Sequence, residues 1–485
     1  MKAIKNILSI CSVALLLGSC QADLLETKPY GNVAAGNMWT SENFADKGVT
    51  AIYSTLRKSY VGLGLYQMDC LGVSTDCRDA DYPIMRNTIT TSNGMFSSYW
   101  SEHYSGISRA NDAIVHLPEV DMPENKKARY MAEAKVLRAY FYYKLNIMYK
   151  GVPVYLEPVE ASECTKGQET EAAVWQVIED DLTAAINEPN LPNIYTEGSS
   201  DYGRVTKGLA YALRGKAYLY QKEYAKAAAD FEAVSQCGFG LFEGDYKQLF
   251  KEANEQSKEM IFSVQCIGLD GLGNDISFRY GTRSSFGSCW NTYLVNADFV
   301  ETYENADGSK FNWNDYIPGY NEMEPAARAV FFLRDGLTDA EKEAMKTAGA
   351  DMSKYLPEGN EARIKAAYAN RDPRLTASII TPYSTYDGAN GSNEYTYTLR
   401  WPFRAGDVSE PFDLKTDTNN RFYYLYRKFV AEGASEIPNR SYSPIDVPLI
   451  RYADILLNLA ECYNELNQED KAIACVNQVR ERAGA

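Results

Sequence analysis

The stretch LRGKAY at residues 213–218 decides the fold class that this sequence predicts. Gly215 and Ala217 precede Tyr218, and Ala227 stands nine positions after that tyrosine. Small residues at these offsets allow two antiparallel helices to pack closely, while the tyrosine fills the space beside them. The stretch therefore predicts a helical hairpin.

The same arrangement occurs a second time near the end of the sequence. In NLAECY at residues 458–463, Ala460 and Cys462 precede Tyr463, and Ala472 again stands nine positions further on. This recurrence resembles the helix pairs of tetratricopeptide (TPR) repeats. The predicted pairs are Thr206–Tyr220 with Tyr224–Gln236, and Pro448–Leu466 with Glu469–Ala483.

Apolar residues at helical spacing predict more helices in the first half of the chain. These helices are predicted at Ser41–Tyr60, Trp100–Leu117, Lys126–Tyr149 and Val174–Ile186. Ser41 is a suitable N-cap for the first of them. Residues 61–95 are rich in Gly, Asp and Thr and are predicted to be a loop.

The amino-acid composition changes between residues 238 and 447. Gly, Asn, Ser, Thr and Pro are frequent there, and apolar runs are short, as in Met260–Val264 and Tyr423–Phe429. We predict long loops, a few short strands and one inserted helix at Thr338–Thr347. The predicted fold class is mostly α, a TPR-like helical hairpin scaffold with a loop-rich, short-strand middle region.

Composition argues for a binding protein. With 49 Lys and Arg against 65 Asp and Glu, the formal net charge is −16, which disfavours nucleic acid and anionic lipid surfaces as partners. The chain has 37 Tyr, 18 Phe and 6 Trp but only 2 His, which leaves little room for zinc sites or histidine-based catalysis. The sequence contains no HExxH, Walker A or GxSxG motif. We expect no cofactor, no metal and no enzymatic activity.

The first twenty residues predict export and lipidation. Residues 1–19 combine Lys2 and Lys5 with an apolar run too short to span a bilayer, which is typical of a signal peptide. Leu17-Gly-Ser-Cys20 resembles a bacterial lipoprotein box, so Cys20 is the predicted lipidation site. An ordinary signal peptide with a chance cysteine is the alternative. The predicted division is 1–19 signal, 20–237 helical region and 238–485 region with ligand loops and the closing helix pair.

Eight cysteines remain after Cys11 leaves with the signal and Cys20 is lipidated. In an oxidising compartment, Cys70 and Cys77 are the most plausible local disulfide, and free buried cysteines are the alternative.

Several stretches together resemble the SusD/RagB family, over essentially the whole mature chain. They are LRAYFYY at 137–143 with YKGVP at 149–153, GRVTK at 203–207, NRDPRL at 370–375, IRYADILL at 450–457 and NQVRERAG at 477–484. The lipobox at Cys20 fits the same family. Members usually continue beyond the Arg-Ala-Gly signature, so we expect either that the sequence is truncated after Ala485 or that the gene product is unusual.

The resemblance implies a surface lipoprotein that captures nutrient and delivers it to a SusC-like TonB-dependent outer-membrane transporter. Most members bind glycan oligosaccharides and some bind peptides. It also implies an α/α superhelix anchored by lipid to the outer membrane and facing the cell exterior. Motif residues such as Arg138 and Tyr140 are expected to be scaffold.

Two aromatic and polar loops are the predicted ligand-binding segments, because a sugar ring needs a flat aromatic platform and polar groups at its rim. Binding residues in the family commonly come from the loop after the first helix and from a mid-chain loop. The candidates are Asp76, Arg78, Asp79 and Tyr82 in the first loop and Arg279, Tyr280, Phe286, Trp290, Asn291 and Tyr293 in the second. Any of these aromatics could instead fill a hydrophobic gap.

The sequence contains other aromatic residues that could form a platform or belong to the core. Trp313, Tyr316 and Tyr320 form a third possible platform, whereas Trp100 stands at helical spacing with its neighbours and is expected in the core. The net acidity favours a neutral oligosaccharide, although a local cluster of arginines at 78, 86, 279 and 283 could override the mean charge.

Three other functions remain open: a peptide-binding member of the family, a surface glycoside hydrolase and a helical adaptor for a protein partner. A glycosidase needs only two suitably placed carboxylates, so the many acidic residues do not exclude one.

Overall fold

The computed structural model describes residues 38–78, 83–406, 409–417, 424–434 and 439–485. Eight long helices form the scaffold. They are α1 (Glu42–Ser54), α2 (Gly94–His116), α3 (Glu124–Tyr149), α4 (Glu171–Ile186), α5 (Lys207–Tyr220), α6 (Tyr224–Gln236), α13 (Tyr452–Glu465) and α14 (Glu469–Arg482). The mostly α prediction is confirmed. Lipidation at Cys20 and the signal peptide lie outside the described residues.

Both predicted TPR-like pairs form, as α5 with α6 and α13 with α14. Thr206 caps α5 by accepting a hydrogen bond from the Leu209 N–H at 3.1 Å. A Cβ atom on Gly215 would lie 2.6 Å from the Phe231 ring, so a glycine is needed where α5 and α6 meet. The Arg214 guanidinium also binds both carboxylate oxygens of Asp230 at 2.7 Å.

The segment after α1 is more ordered than predicted. Helix α1 ends at Ser54, and three short helical turns follow at Thr55–Arg57, Ser59–Leu63 and Leu65–Leu71. The predicted loop also contains strand β1 (Thr75–Cys77), and α2 begins within it. Turns this short leave no periodic apolar pattern, so the prediction of a loop over residues 61–95 was wrong in part.

The middle region contains more helix than the single one predicted. The helices are α7 (Ile276–Tyr280), α8 (Ala297–Glu301), α9 (Pro325–Arg328), α10 (Asp339–Thr347), α11 (Asn360–Ala369) and α12 (Pro373–Ser378). Helix α10 begins as predicted, with a capping box between Thr338 and Glu341. The others are mostly four to six residues long, too short for helical spacing to be visible.

The remaining strands are short, as predicted. They are β2 (Met260–Val264), β3 (Tyr293–Val295), β4 (Ile379–Ile380), β5 (Thr385–Asn390), β6 (Asn393–Thr398), β7 (Phe412–Asp413), β8 (Leu425–Tyr426) and β9 (Val447–Arg451). Strands β1 and β3, β2 and β9, and β4 and β8 form antiparallel pairs, while β5, β6 and β7 form a three-stranded sheet with β6 parallel to β7.

The described residues pack around two large hydrophobic cores. The main core draws on α1–α6, on β2 and β9 and on the α13–α14 pair. A second core lies within residues 295–424 and includes Trp313, which is 3% exposed and stacks on Tyr320 at 4.8 Å. The third predicted platform is therefore core, since these rings cover each other. Trp100 packs on the main core beside Tyr104 and Tyr149, as expected.

The two motif residues named as scaffold are buried. The Arg138 guanidinium donates two hydrogen bonds of 2.8 Å to Asp181 on α4, and another of 2.8 Å to Asn111 on α2. The Tyr140 hydroxyl donates to the Val61 carbonyl at 2.8 Å. Both side chains join helices, which is a structural role.

Cys70 and Cys77 do not form the predicted disulfide. All cysteines in the described part of the chain are free thiols, and most of them are buried.

Candidate functional site

The two predicted ligand loops lie side by side in the structure. Strands β1 and β3 pair from Thr75 opposite Val295 to Cys77 opposite Tyr293. Beyond the pair, the Arg78 N–H donates to the Thr292 carbonyl at 2.8 Å. Residues more than 200 positions apart are thereby joined at one surface, as the functional hypothesis requires.

An aromatic platform, defined as the rings of Phe278 and Trp290, stands at this surface. The ring centroids are 4.7 Å apart at an interplanar angle of 49°. The Trp290 N–H donates to the Phe278 carbonyl at 2.9 Å, and the Asn291 N–H donates to the Gly281 carbonyl at 2.7 Å. These backbone bonds fix the two rings as neighbours. Trp290 is 37% exposed, so its ring can be covered by a ligand.

Two arginines flank the aromatic platform. The Arg279 guanidinium lies 5.4 Å from the Phe278 ring and 6.0 Å from the Trp290 ring, and its Nε donates to Asp275 at 3.0 Å. The Arg440 guanidinium lies 4.9 Å from the Phe278 ring. It donates to the Gly287 and Ser288 carbonyls, both at 2.9 Å. Arg440 thus ties the platform to the loop that carries Trp290.

Asp417 links the two loops through its charge. It forms ion pairs with both Arg78 and Arg283. Arg78 also donates to the Trp290 carbonyl at 2.7 Å, and the Asp417 N–H donates to the Asn291 side-chain oxygen at 2.9 Å. The arginine cluster predicted at this surface is therefore partly neutralised, and its charge positions the backbone beneath the platform.

A cleft of about 1040 Å³ adjoins the same loop. Phe286, a predicted candidate, lines it together with the three-stranded sheet. Arg283, Arg404 and Lys415 supply positive charge at its walls. A cavity of this size can hold several sugar-sized rings, and aromatic walls with a few polar groups are typical of ligand sites.

The aromatic wall of the cleft was not predicted from the sequence. Tyr395 and Tyr397 project from one face of β6, and Phe412 on β7 lies 5.6 Å from the Tyr395 ring and 6.1 Å from the Tyr397 ring. Phe403 completes the wall. The alternation of tyrosine and threonine in NEYTYT at 393–398 is the period of a strand and could have indicated this wall.

Three predicted site residues are buried and do not face a ligand. Tyr280 is 4% exposed and stacks on Tyr426 at 4.1 Å, and Tyr293 is 6% exposed with its ring 5.5 Å from Tyr66. Asn291 is fully buried and holds Asp417. These side chains support the site from within, because the whole of β3 and the residues just before it are buried.

The remaining candidates of the first loop are Asp76, Asp79 and Tyr82. Asp76 is half-buried, and its carboxylate accepts a hydrogen bond from the Cys77 N–H at 2.8 Å. Asp79 and Tyr82 lie outside the described residues.

The site is chemically suited to binding a molecule with one apolar face and a polar rim. Flat rings, guanidinium donors and the phenols of the cleft are its exposed groups. Burial raises the pKa of the nearby Cys289 thiol to about 12, so this cysteine is an inert thiol at neutral pH. Within the described ranges, no group of three or more His, Cys, Asp and Glu side chains is placed to hold a metal ion.

Comparison with known proteins agrees with this architecture. Residues 258–485 match the sequence model of the SusD family, and residues 25–219 match one described as starch-binding associating with outer membrane. The chain belongs to the SusD/RagB family. The mostly α fold is that of solved SusD-like structures.

Relatives and solved structures of the SusD/RagB family are distant in sequence. SusD-like protein P38 of Formosa agariphila is 24% identical over 495 residues, covering 99% of this chain and 82% of that protein. A SusD-like protein of Bacteroides ovatus is 24% identical over 338 residues, covering 65% of this chain and 60% of that protein. A SusD-like carbohydrate-binding protein of Bacteroides fragilis superposes with a TM-score of 0.68 at 23% identity, covering 93% of this chain and 80% of that chain. At such identity the superposition shows the shared fold.

No helix in the described part of this SusD/RagB protein is both long and apolar enough to cross a membrane.

Proposed function

We propose that this SusD/RagB protein captures oligosaccharides on the aromatic platform of Phe278 and Trp290 and in the adjoining cleft. The exposed Trp290 ring carries the proposal. It packs against the tilted ring of Phe278 where the two loops meet, with the Arg279 and Arg440 guanidinium groups near the two rings. An apolar sugar face would lie on the ring, and the hydroxyl rim would accept hydrogen bonds from the arginines.

Two structural neighbours support a glycan as ligand. One neighbour is a laminarin-binding SusD-like protein, with a TM-score of 0.62 at 24% identity, covering 92% of this chain and 85% of that chain. Another structure contains a xylogluco-oligosaccharide. Those ligands belong to those proteins, and their variety indicates that the family scaffold accepts different glycans.

We further propose a non-catalytic lipoprotein, anchored through Cys20 to the outer membrane and facing the cell exterior. It would deliver its ligand to a SusC-like TonB-dependent transporter. A lipid-anchored binder cannot carry a solute across a bilayer by itself, since transport needs a spanning structure. Association with an outer-membrane barrel supplies that step.

The decisive experiment measures binding by calorimetry for hits from a glycan array, with the Trp290→Ala variant beside the wild type. Loss of one stacking platform should weaken binding by about 1–2 kcal/mol, or roughly 5- to 30-fold. Tyr220→Ala is the matched control, because Tyr220 is 47% exposed on α5 and lies outside the platform and the cleft. The control should keep wild-type affinity.

Each alternative predicts a different result in that experiment. Release of reducing ends from a bound oligosaccharide would identify a hydrolase. Binding of peptides but of no carbohydrate would identify a peptide-binding family member. Unchanged glycan affinity in Trp290→Ala would overturn the proposed platform.

A further inference from the structure

A second cavity of about 560 Å³ lies between the helical scaffold and the middle region. Helix α7 contributes to both sites: Phe278 and Arg279 stand at the platform, whereas Ile276 and Tyr280 line this cavity. The walls are mainly aliphatic and aromatic. Three lining side chains are carboxyl or amino groups, namely Asp69, Lys144 and Lys428. The size and the apolar walls are those of a small-molecule site.

The ammonium group of Lys428 has no hydrogen-bond acceptor among the residues that the structure describes. Its ammonium group lies 4.1 Å from the centroid of the Phe250 ring and 5.4 Å from that of Phe429. Among residues 38–78, 83–406, 409–417, 424–434 and 439–485, no carboxylate forms an ion pair with it and no oxygen accepts a hydrogen bond from it. A half-buried lysine amine in such surroundings has lost part of its hydration without gaining an ion pair.

Lys144, on α3, has similar surroundings. Its amine lies 5.9 Å from the Tyr140 ring and has no ion pair or hydrogen bond to any side chain or carbonyl in the described part of the chain. Both lysines are half-buried by surface area, and both line the cavity. Two lysines against one aspartate make the wall cationic in a protein whose net charge is −16.

The pKa of the Lys428 amine is set by burial and by the ionisable groups around it. Burial, together with the charges of the Arg451 and Arg482 guanidinium groups, lowers the pKa of its amine to about 7, while Asp69 and Glu259 act in the opposite sense. Glu259 is already paired with both arginines. Burial raises the pKa of the Asp69 carboxyl, and the charge of Lys428 acts in the opposite sense.

Lys144 and the tyrosines complete the set of ionisable groups. Burial lowers the pKa of the Lys144 amine to about 8, assisted by Lys216.

Five tyrosines line the cavity, and three of their hydroxyls already have partners. The Tyr66 hydroxyl donates to Asp275 at 2.8 Å, the Tyr426 hydroxyl is hydrogen-bonded to Thr75 at 2.6 Å, and Tyr280 is hydrogen-bonded to Asp69. Tyr246 and Tyr303 are therefore the tyrosines that can donate to a ligand.

We propose that this cavity binds a small organic acid, with its carboxylate on the Lys428 ammonium and its apolar body against the aromatic and aliphatic walls. The acid would supply the counter-ion that Lys428 lacks, and the tyrosine hydroxyls would donate to the second carboxylate oxygen. This site is independent of the proposed glycan platform. A compact, fully hydrated anion such as phosphate would leave the apolar walls uncovered, which is why we assign an acid with a hydrocarbon or aromatic body.

Proton linkage gives the site a characteristic pH dependence. The carboxylate binds the protonated amine, so its affinity follows the fraction of Lys428 that is charged. With a pKa of about 7, binding should be roughly 50-fold weaker at pH 9 than at pH 7.

The test titrates benzoate, phenylacetate and octanoate into the full chain by calorimetry between pH 6 and pH 9. At least one acid should bind, with the stated loss at high pH. Lys428→Met, which keeps the length of the side chain without its charge, should reduce affinity at pH 7 at least tenfold. Lys346→Met is the matched control, because Lys346 is an exposed lysine on α10, remote in sequence from every wall of the cavity.

A second measurement guards against misfolding of the Lys428 variant. A small amine-reactive ester should label Lys428 in the wild type at pH 8, and the bound acid should protect it, as judged by peptide mass mapping. Absence of binding by all three acids to folded wild-type protein would overturn the proposal. So would binding that is unchanged by pH or by Lys428→Met. Glycan affinity should stay unchanged in Lys428→Met, which separates this site from the proposed function.

Discussion

At the scale of single residues, the buried carboxyl group of Asp446 lies beside the half-buried carboxyl group of Glu255. The Asp446 N–H donates to the Glu255 carboxylate at 3.1 Å, and the Asp446 carboxylate accepts from the Cys266 N–H at 2.7 Å and from the Gln265 amide at 2.6 Å. Burial, followed by the charge of Glu255, raises the pKa of Asp446 to about 8. Burial raises the pKa of Glu255 to about 7.

These raised pKa values predict a loss of stability in mildly alkaline solution. The folded state holds protons that the unfolded chain releases near pH 4, so the stabilisation is complete below that pH and is lost as pH rises through 7 and 8. In Asp446→Asn the melting temperature should fall less between pH 5 and pH 9 than in the wild type. Thermal unfolding followed by circular dichroism measures this.

The exposed Asp270 offers the control for that experiment, since Asp270→Asn removes a carboxyl group without touching the pair. The pair would not be responsible for the pH dependence if wild type and Asp446→Asn lost the same stability over this range.

Two tryptophans show that the exposure of a ring could not be predicted from the sequence. Trp290 and Trp313 both stand in polar, glycine-containing stretches, and either could be a platform. In the structure Trp290 is 37% exposed, whereas Trp313 is 3% exposed and its indole N–H donates to Glu301 at 2.9 Å. Burial depends on which distant segment covers a ring, and the local sequence does not encode it.

At the scale of elements, a buried ion pair joins α3 to α4. Arg138 donates twice to Asp181 and once to Asn111, so three helices meet at one guanidinium group. The side chains of Arg138 and Asp181 are each 7% exposed. A buried pair contributes little net stability, but removing one partner leaves the other charge without compensation.

Arg138→Met should therefore lower the free energy of unfolding by about 3–5 kcal/mol. The double variant Arg138→Met with Asp181→Leu should recover most of that loss, because the uncompensated carboxylate is gone. Urea denaturation of the three proteins measures the difference. Equal stability of the single and double variants would contradict the buried-charge explanation.

Elements differ in how well their sequence predicts them. Helix α3 runs from Glu124 to Tyr149, within two residues of the prediction, because it is long and its apolar positions are dense. Helix α7 has only five residues and was not predicted. It forms because Ile276 and Tyr280 are buried by other segments, so tertiary packing decides it.

At the scale of the whole molecule, the two halves of the sequence share one core. Strand β2 pairs with β9, almost 200 residues later, and Lys216 on α5 forms an ion pair of 2.8 Å with Asp454 on α13. The helix pair near the end of the sequence thereby packs on the helices of the first half. A rigid frame of this kind can hold ligand loops in fixed positions.

The cellular role gives a prediction at this scale. Cys20→Ala should yield an unlipidated, mislocalised protein, because no acyl chain would anchor it. The wild type on intact cells should be digested by added protease, and gentle detergent extraction should recover it with a large outer-membrane barrel. Full protection of the wild type from protease would contradict exposure at the cell surface. Repeated recovery without a barrel would count against the transporter partnership.

The sequence by itself determined the helical scaffold and the family. Periodic apolar residues, the LRGKAY and NLAECY repeats and the ordered motifs are local signals, and each can be recognised without knowing what packs against it. It also indicated the loops around residues 76 and 290 as candidate ligand-binding segments, through their aromatic and polar residues and the family resemblance.

Only the tertiary structure decided which side chains of these loops are exposed. Trp290 lies at the surface and Tyr293 in the core, although three positions separate them. The aromatic wall of the cleft and the uncompensated amine of Lys428 likewise arise from segments far apart in the chain. Exposure, cavities and counter-ions are properties of long-range packing, and one segment of sequence does not specify its distant neighbours.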